Sequence, residues 1–147
     1  MQLSLEYLRT PPGILKLVEI ATVVVAFGIF RGSDARFALS RSQNFATDAD
    51  FFGCGVLVTA LIITPLLLTC YIMGRYEIQK TIFEIVFNFL MFVFMLSAGS
   101  VAVDSFKNVD VIGSNMENTS LAMGSFCIIA SFAYLVDTVF AVHLYRK

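Results

Sequence analysis

Four long apolar stretches, separated by short polar segments, occupy most of this 147-residue chain. They cover residues 14–31, 51–73, 82–103 and 121–145. A helix needs roughly 20 mostly apolar residues to cross a hydrocarbon layer about 30 Å thick. The last three stretches reach that length, and the first reaches it with its flanking residues. The chain is therefore predicted to cross a membrane four times.

The composition agrees with a membrane environment. Hydrophobic residues make up 58% of the chain and charged residues 14%, whereas a soluble domain has about 25% charged residues. In lipid the backbone must satisfy its own hydrogen bonds, so spans are helices or strands of a closed barrel. The short alternating segments of barrel strands are missing. The predicted fold is therefore an all-α bundle of four transmembrane helices in up-and-down order.

Basic residues near the ends of the spans indicate the orientation of this bundle. Four spans place both termini on one side of the membrane. The basic residues on that side are Arg9, Lys16, Arg75, Lys80, Arg146 and Lys147, and those on the other side are Arg31, Arg36, Arg41 and Lys107. Because basic residues are enriched on the cytoplasmic side, both termini are predicted to be cytoplasmic.

Several classes of function are disfavoured by what the chain lacks. The two outer loops are each under about 20 residues, too short to fold as catalytic domains. His143 is the only histidine, so one chain cannot assemble a Ser-His-Asp triad or a histidine-rich metal site. Neither a glycine-rich phosphate loop nor a basic patch is present. We therefore expect no enzymatic activity, no cofactor, no metal and no nucleic-acid partner.

Four ionisable side chains lie inside the predicted spans: Lys16 and Glu19 in the first, Glu84 in the third and Asp137 in the fourth. Each costs roughly 2.5–3.5 kcal/mol at a helix centre, so such groups usually pair or face a polar cavity. All four map to the half of the bundle that carries the termini. Asn88 follows Glu84 by one helical turn and shares its face. The sequence predicts an intramembrane polar cluster of these five residues, in which Lys16 neutralises one or more acids.

Two interpretations of this cluster stay open. As a structural feature, it is a set of salt bridges and hydrogen bonds that fixes the order of the helices. As a functional site, it is a proton or cation relay, or it docks a basic transmembrane residue of a partner. The structural interpretation is favoured because no ladder of acids continues across the membrane, as a conduction path would require.

Small residues in the third and fourth spans predict the closest helix contact. In lipid, helices associate where small side chains let their backbones approach. Ala98, Gly99 and Ala102 form such a patch in the third span, and Gly124 supplies a small residue in the fourth.

Two positions are candidates for covalent modification. Asn118 opens an N-glycosylation sequon on the side opposite the termini. Cys70, near the cytoplasmic end of the second span, is the best placed of the three cysteines for palmitoylation. Because all three cysteines lie inside predicted spans, no extracellular disulfide framework is expected.

The opening of the first span carries a resemblance to a known family. From Tyr7 to Glu19 the chain reads YLRTPPGILKLVE. This segment resembles the start of MARVEL-domain proteins, where a short Arg-Thr-Pro-Gly lead runs into a first helix carrying Lys and Glu. In length and number of spans the chain is similar to the MAL, plasmolipin and chemokine-like-factor branch, although the outer-loop cysteine pairs of some relatives are missing.

The resemblance implies one four-helix domain over residues 1–147 that organises membranes in vesicle trafficking, membrane apposition or cell junctions. It implies a multi-pass protein of the plasma membrane or trafficking vesicles. The implied partners are membrane lipids and other transmembrane proteins, in homo- or hetero-oligomers. Two alternatives stay open: a component of a proton or cation transporter or channel, and an accessory subunit of a larger membrane complex.

Overall fold

A computed structural model describes residues 5–39, 46–74, 81–107 and 114–147. The elements in these ranges are a short 3₁₀ helix, Leu5–Arg9, and four long helices: α1, Pro11–Gly32; α2, Asp48–Ile72; α3, Ile82–Phe106; and α4, Ser114–Tyr145. Each long helix has the length and hydropathy needed to cross a membrane. The prediction of an all-α, four-span fold is therefore confirmed. Arg41, Arg75 and Lys80, which contribute to the predicted orientation, lie outside the described residues.

Polar residues set the beginnings of the helices. The side chain of Thr10 accepts a hydrogen bond from the Gly13 N–H and caps α1, as is typical of an N-cap threonine. Thr47 and Asp50 form a reciprocal capping box at the start of α2. The α4 helix begins at Ser114 rather than at residue 121. Hydropathy marks only the part of a helix inside the membrane, so it misses these polar first turns.

The helices form a closed square in which α1 contacts α2 and α4, and α3 contacts the same two helices. Neighbouring helices run in opposite directions. Tyr7, just before α1, packs on Tyr71 at the end of α2, with ring centroids 5.3 Å apart. Asn88, near the start of α3, bonds to Asp137 near the end of α4. Both termini therefore lie on one face of the bundle, called the terminal face below, and the opposite face is called the loop face.

The most extensive contact in the bundle lies between α3 and α4. Buried positions of α3 alternate in spacings of four and three residues: Glu84, Asn88, Met91, Met95, Ala98 and Ala102. This spacing keeps one seam of a helix turned toward its neighbour. A Cβ atom at Gly99 would lie 2.8 Å from the carbonyl oxygen of Gly124, and one at Gly124 would lie 3.0 Å from Cβ of Ala102. The predicted packing residues thus lie where the two backbones meet.

A pair of matched glycine substitutions tests this contact. Gly99→Ala should lower the free energy of unfolding by about 1–3 kcal/mol, because overpacking forces the helices apart. Gly28→Ala, on α1, has no atom within 4 Å of the new Cβ. It should be neutral or stabilising by up to about 1 kcal/mol, since alanine favours a helix. Thermal unfolding in mild detergent measures both, and equal effects would contradict the close α3–α4 approach.

Candidate functional site

A buried network of charged and polar side chains joins α1, α3 and α4 near the terminal face. Lys16 Nζ lies 2.5 Å from Asp137 Oδ2, 3.1 Å from Glu19 Oε2 and 2.9 Å from Asn88 Oδ1. These four residues, called the Lys16 network below, are at most 2% exposed. An ammonium group has three protons to donate. Each proton of Lys16 therefore has an acceptor within the bundle.

Asn88 connects the cation to the anion on the far helix. Its carbonyl oxygen accepts a hydrogen bond from Lys16, and its amide nitrogen donates to Asp137 Oδ2 at 2.9 Å. An amide can do both because it carries an acceptor and two donors. Lys16, Asn88 and Asp137 thus close a cycle of contacts across three helices. The aromatic ring of Tyr134 adds a further contact, with its centroid 5.9 Å from Lys16 Nζ.

Glu84 lies beside this network but belongs to a different group of contacts. Its buried side chain interacts with Tyr71 of α2, and Tyr71 in turn packs on Tyr7. Among the described residues, Glu84 Oε2, the Tyr71 hydroxyl and Glu19 Oε1 have no partner at full hydrogen-bonding geometry. The five predicted cluster residues therefore divide into four that are joined through Lys16 and Glu84, which lies beside Tyr71.

A second polar contact lies beyond the Lys16 network, inside the bundle. The hydroxyl groups of Thr64 on α2 and Tyr134 on α4 are 2.6 Å apart and buried. This bond links two helices that sit diagonally across the square. Sequence analysis did not identify it, although two hydroxyl-bearing residues within otherwise apolar spans are a usable signal, because buried hydroxyls need partners.

At the loop face, residues 33–39 are held down on the bundle by contacts called the loop clamp. Asp50 Oδ1 accepts the Phe37 N–H at 2.7 Å, and Asp50 Oδ2 accepts from the backbone and hydroxyl of Thr47, each at 2.9 Å. The Arg36 guanidinium lies 3.7 Å from the same oxygen. The Arg36 N–H donates to Ser120 Oγ of α4 at 2.9 Å. This part of the first loop is thereby attached to both α2 and α4.

Sequence analysis also missed the loop clamp. The Thr47-x-x-Asp50 spacing is a capping-box signal, but it predicts only where a helix starts. The burial of Phe37 depends on Gly53, where a Cβ atom would come within 2.4 Å of the phenyl ring. A glycine facing an aromatic side chain across a loop leaves no periodic pattern, so the contact becomes visible only in three dimensions.

The remaining predicted residues fall at separate places. Asn118 is exposed on α4, while Ser120, the last residue of its sequon, is buried and bonded to Arg36. Cys70 is half-buried near the terminal end of α2 and is a free thiol. Glycosylation and palmitoylation stay predictions. Within the described ranges, no group of three or more His, Cys, Asp or Glu side chains is arranged to hold a metal ion.

Two lysine substitutions separate the buried network from an exposed ion pair. Lys16→Met leaves Glu19 and Asp137 buried without their cation, and breaking a buried pair in this way costs about 3–5 kcal/mol. Lys107→Met removes a partner of Asp104 whose side chain is 75% exposed, and such surface pairs contribute about 0–1 kcal/mol. Thermal unfolding in mild detergent is the measurement.

A double variant tests whether the unpaired carboxylates cause the loss of stability in Lys16→Met. Adding Asp137→Asn should recover part of the lost stability, because it removes one of the unpaired charges. Equal effects of the two lysine substitutions, or no recovery in the double variant, would contradict the structural role of the network.

Comparisons with known proteins agree with this architecture. The family model of MARVEL, the membrane-associating domain, matches residues 7–140. Protein snakeskin of Bombyx mori is 28% identical over 127 residues, covering 82% of this chain and 78% of the relative. Protein snakeskin of Drosophila melanogaster is 27% identical over 143 residues, covering 90% and 87%. No solved structure matches the chain.

Proposed function

The chain belongs to the MARVEL family of membrane-associating domains, and from this premise we propose that it organises membranes through lateral contacts. It gathers lipids and other transmembrane proteins around its outer surface, in membrane apposition, vesicle trafficking or cell junctions. Its location is the plasma membrane, trafficking vesicles or both, and its two termini face the cytoplasm.

The observation that carries this proposal is the contrast between a polar interior and an apolar exterior. The protons of Lys16 are all bonded inside the bundle. The large side chains that point outward are apolar, such as Ile62 on α2 and Phe132 and Val139 on α4, which are 56–63% exposed. The bundle therefore offers its surroundings a surface suited to lipid tails and transmembrane helices.

The loop clamp supports the same function. Asp50 and Ser120 hold the backbone of residues 36 and 37 against the bundle. The described part of the first loop therefore does not extend as an arm that could bind a soluble partner. What this part of the chain presents to partners lies within the membrane or close to its surface.

A transport function is the second candidate, and one observation favours it. Glu19, Tyr71 and Glu84 each carry a buried oxygen without a described partner at full hydrogen-bonding geometry, as a site that handles protons or cations would. Against it, Met91, Met95 and Met123 fill the core between the Lys16 network and the loop face and are at most 2% exposed. These apolar side chains separate the Lys16 network from the loop face, and lateral organisation is therefore the better supported function.

Proximity labelling from the C-terminus tests the proposal. A biotin ligase fused after Lys147 should label integral proteins of cell contacts or trafficking vesicles well above the background from an unrelated four-span protein expressed at the same level. A peptide tag at the same position should be inaccessible to antibody in intact cells, because the termini are cytoplasmic. A neighbour profile equal to that of the unrelated protein would contradict the function, and a tag accessible from outside would contradict the orientation.

A further inference from the structure

Glu84 lies in the first turn of α3, beside the Lys16 network but outside its salt bridges. It is 2% exposed and thus buried as fully as Asp137. Lys16 pairs with Glu19 and Asp137, and within the described ranges no basic side chain forms a salt bridge with Glu84. This carboxyl group is therefore buried without a direct counter-charge in the part of the chain that the structure describes.

The charges that face Glu84 from neighbouring helices do not neutralise it. Lys16 on α1 attracts a negative charge at this position, while Asp137 on α4 repels it, and Glu19 on α1 lies close enough to add to the repulsion. If all three acids were ionised, the single ammonium group of Lys16 would leave two negative charges in excess. A buried acid that is not paired binds a proton and becomes neutral rather than keep its charge.

On α2, Glu84 faces neutral groups. Its side chain interacts with Tyr71, which is fully buried and belongs to an apolar cluster with Tyr7, Leu67 and Leu68. Among the described residues, the Tyr71 hydroxyl and Glu84 Oε2 have no partner at full hydrogen-bonding geometry. A neutral carboxyl group can both donate to a hydroxyl and accept from it, whereas a carboxylate can only accept. The neutral form is therefore the better match for these surroundings.

Asp50 shows the contacts that a buried acid makes elsewhere in the same bundle. It is 4% exposed, and it accepts hydrogen bonds from the Phe37 N–H, the Thr47 N–H and the Thr47 hydroxyl at 2.7–2.9 Å. The Arg36 guanidinium lies 3.7 Å away. Three donors and a cation of this kind satisfy an anionic carboxylate. No such set of donors surrounds Glu84 in the described part of the chain.

The position of Glu84 along α3 favours a negative charge, but too weakly to decide its state. The amino end of a helix carries a partial positive charge, and Glu84 lies in the first turn of α3. This contribution is smaller than the penalty of taking an unpaired ion out of water. The balance at Glu84 therefore favours the neutral carboxyl group.

We propose that Glu84 is a proton-binding site, whose carboxyl group stays neutral in the folded bundle at neutral pH and hydrogen-bonds to Tyr71 across the seam between α2 and α3. The proton stays on Glu84 and is not passed along a path. The proposal goes beyond the proposed function and does not depend on it. Because an exposed carboxyl group is ionised at neutral pH, folding takes up one proton at this position.

Infrared spectroscopy of the full-length protein detects this proton. The protein is held in micelles of a maltoside detergent, which has no carbonyl group of its own. A protonated carboxyl group has a carbonyl stretch that is well separated from the bands of a carboxylate and shifts in heavy water. At neutral pH the wild type should show this band, and Glu84→Gln should remove from it the area of one carboxyl group. Glu6→Gln, the same change at an exposed position, should leave the band unchanged.

Two outcomes of this measurement would overturn the proposal. One is a wild type without the band, and the other is a band that folded Glu84→Gln retains in full.

The pH dependence of unfolding provides a second measurement. Because the folded state holds one proton more than the unfolded state at Glu84, stability should fall as pH rises above the ordinary glutamate pKa of about 4.3. From about pH 5 to about pH 8, the folding equilibrium constant of the wild type should decrease relative to that of Glu84→Gln by about tenfold per pH unit. Glu6→Gln should follow the wild type. Equal slopes for the wild type and Glu84→Gln would overturn the proposal.

Glu19 is the competing position for the proton, because its Oε1 also has no described partner at full hydrogen-bonding geometry. The Glu84 band should persist in Glu19→Gln. Complete loss of the band in that variant would place the proton on Glu19 and overturn the proposal, and this result can be read even if Glu84→Gln does not fold. None of these measurements depends on partners, so their outcome is separate from the neighbour profile that tests the proposed function.

Discussion

A lysine buried in a membrane bundle needs acceptors for all three of its protons, and Lys16 finds them on three helices. The acceptors come from its own helix through Glu19, from α3 through Asn88 and from α4 through Asp137. Close packing at Gly99 and Gly124 then brings α3 and α4 together along the loop-face half.

The α2 helix contributes no residue to this network and is held by other contacts. It is held at the terminal face by Tyr71, in the interior by Thr64 and at the loop face by Asp50 and Gly53. Its contact with α3 is the least extensive between neighbouring helices in the described residues.

The four helices could be predicted from the sequence because an apolar stretch of roughly 20 residues indicates a segment that lies in lipid rather than in water. Sequence analysis also named Lys16, Glu19, Asn88 and Asp137, since charged and amide groups inside apolar spans must find one another. It could not separate Glu84 from the others, because helical spacing places Glu84 and Asn88 on one face and says nothing of which helix lies opposite. The burial of Phe37 over Gly53 depends on the path of a loop, and the bond between Thr64 and Tyr134 depends on which helices lie diagonally opposite. Neither property is encoded in local pattern.

Ion flux into liposomes tests most directly whether the Lys16 network stabilises the bundle or forms part of a path for protons or cations. Full-length protein is reconstituted, and proton and cation flux is compared among the wild type, Glu84→Gln, Asp137→Asn and the exposed control Asp104→Asn. If the role of the network is structural, wild-type flux should not exceed that of empty liposomes, and none of the substitutions should change it. Flux that is present in the wild type, lost in Glu84→Gln or Asp137→Asn and retained in Asp104→Asn would contradict the account.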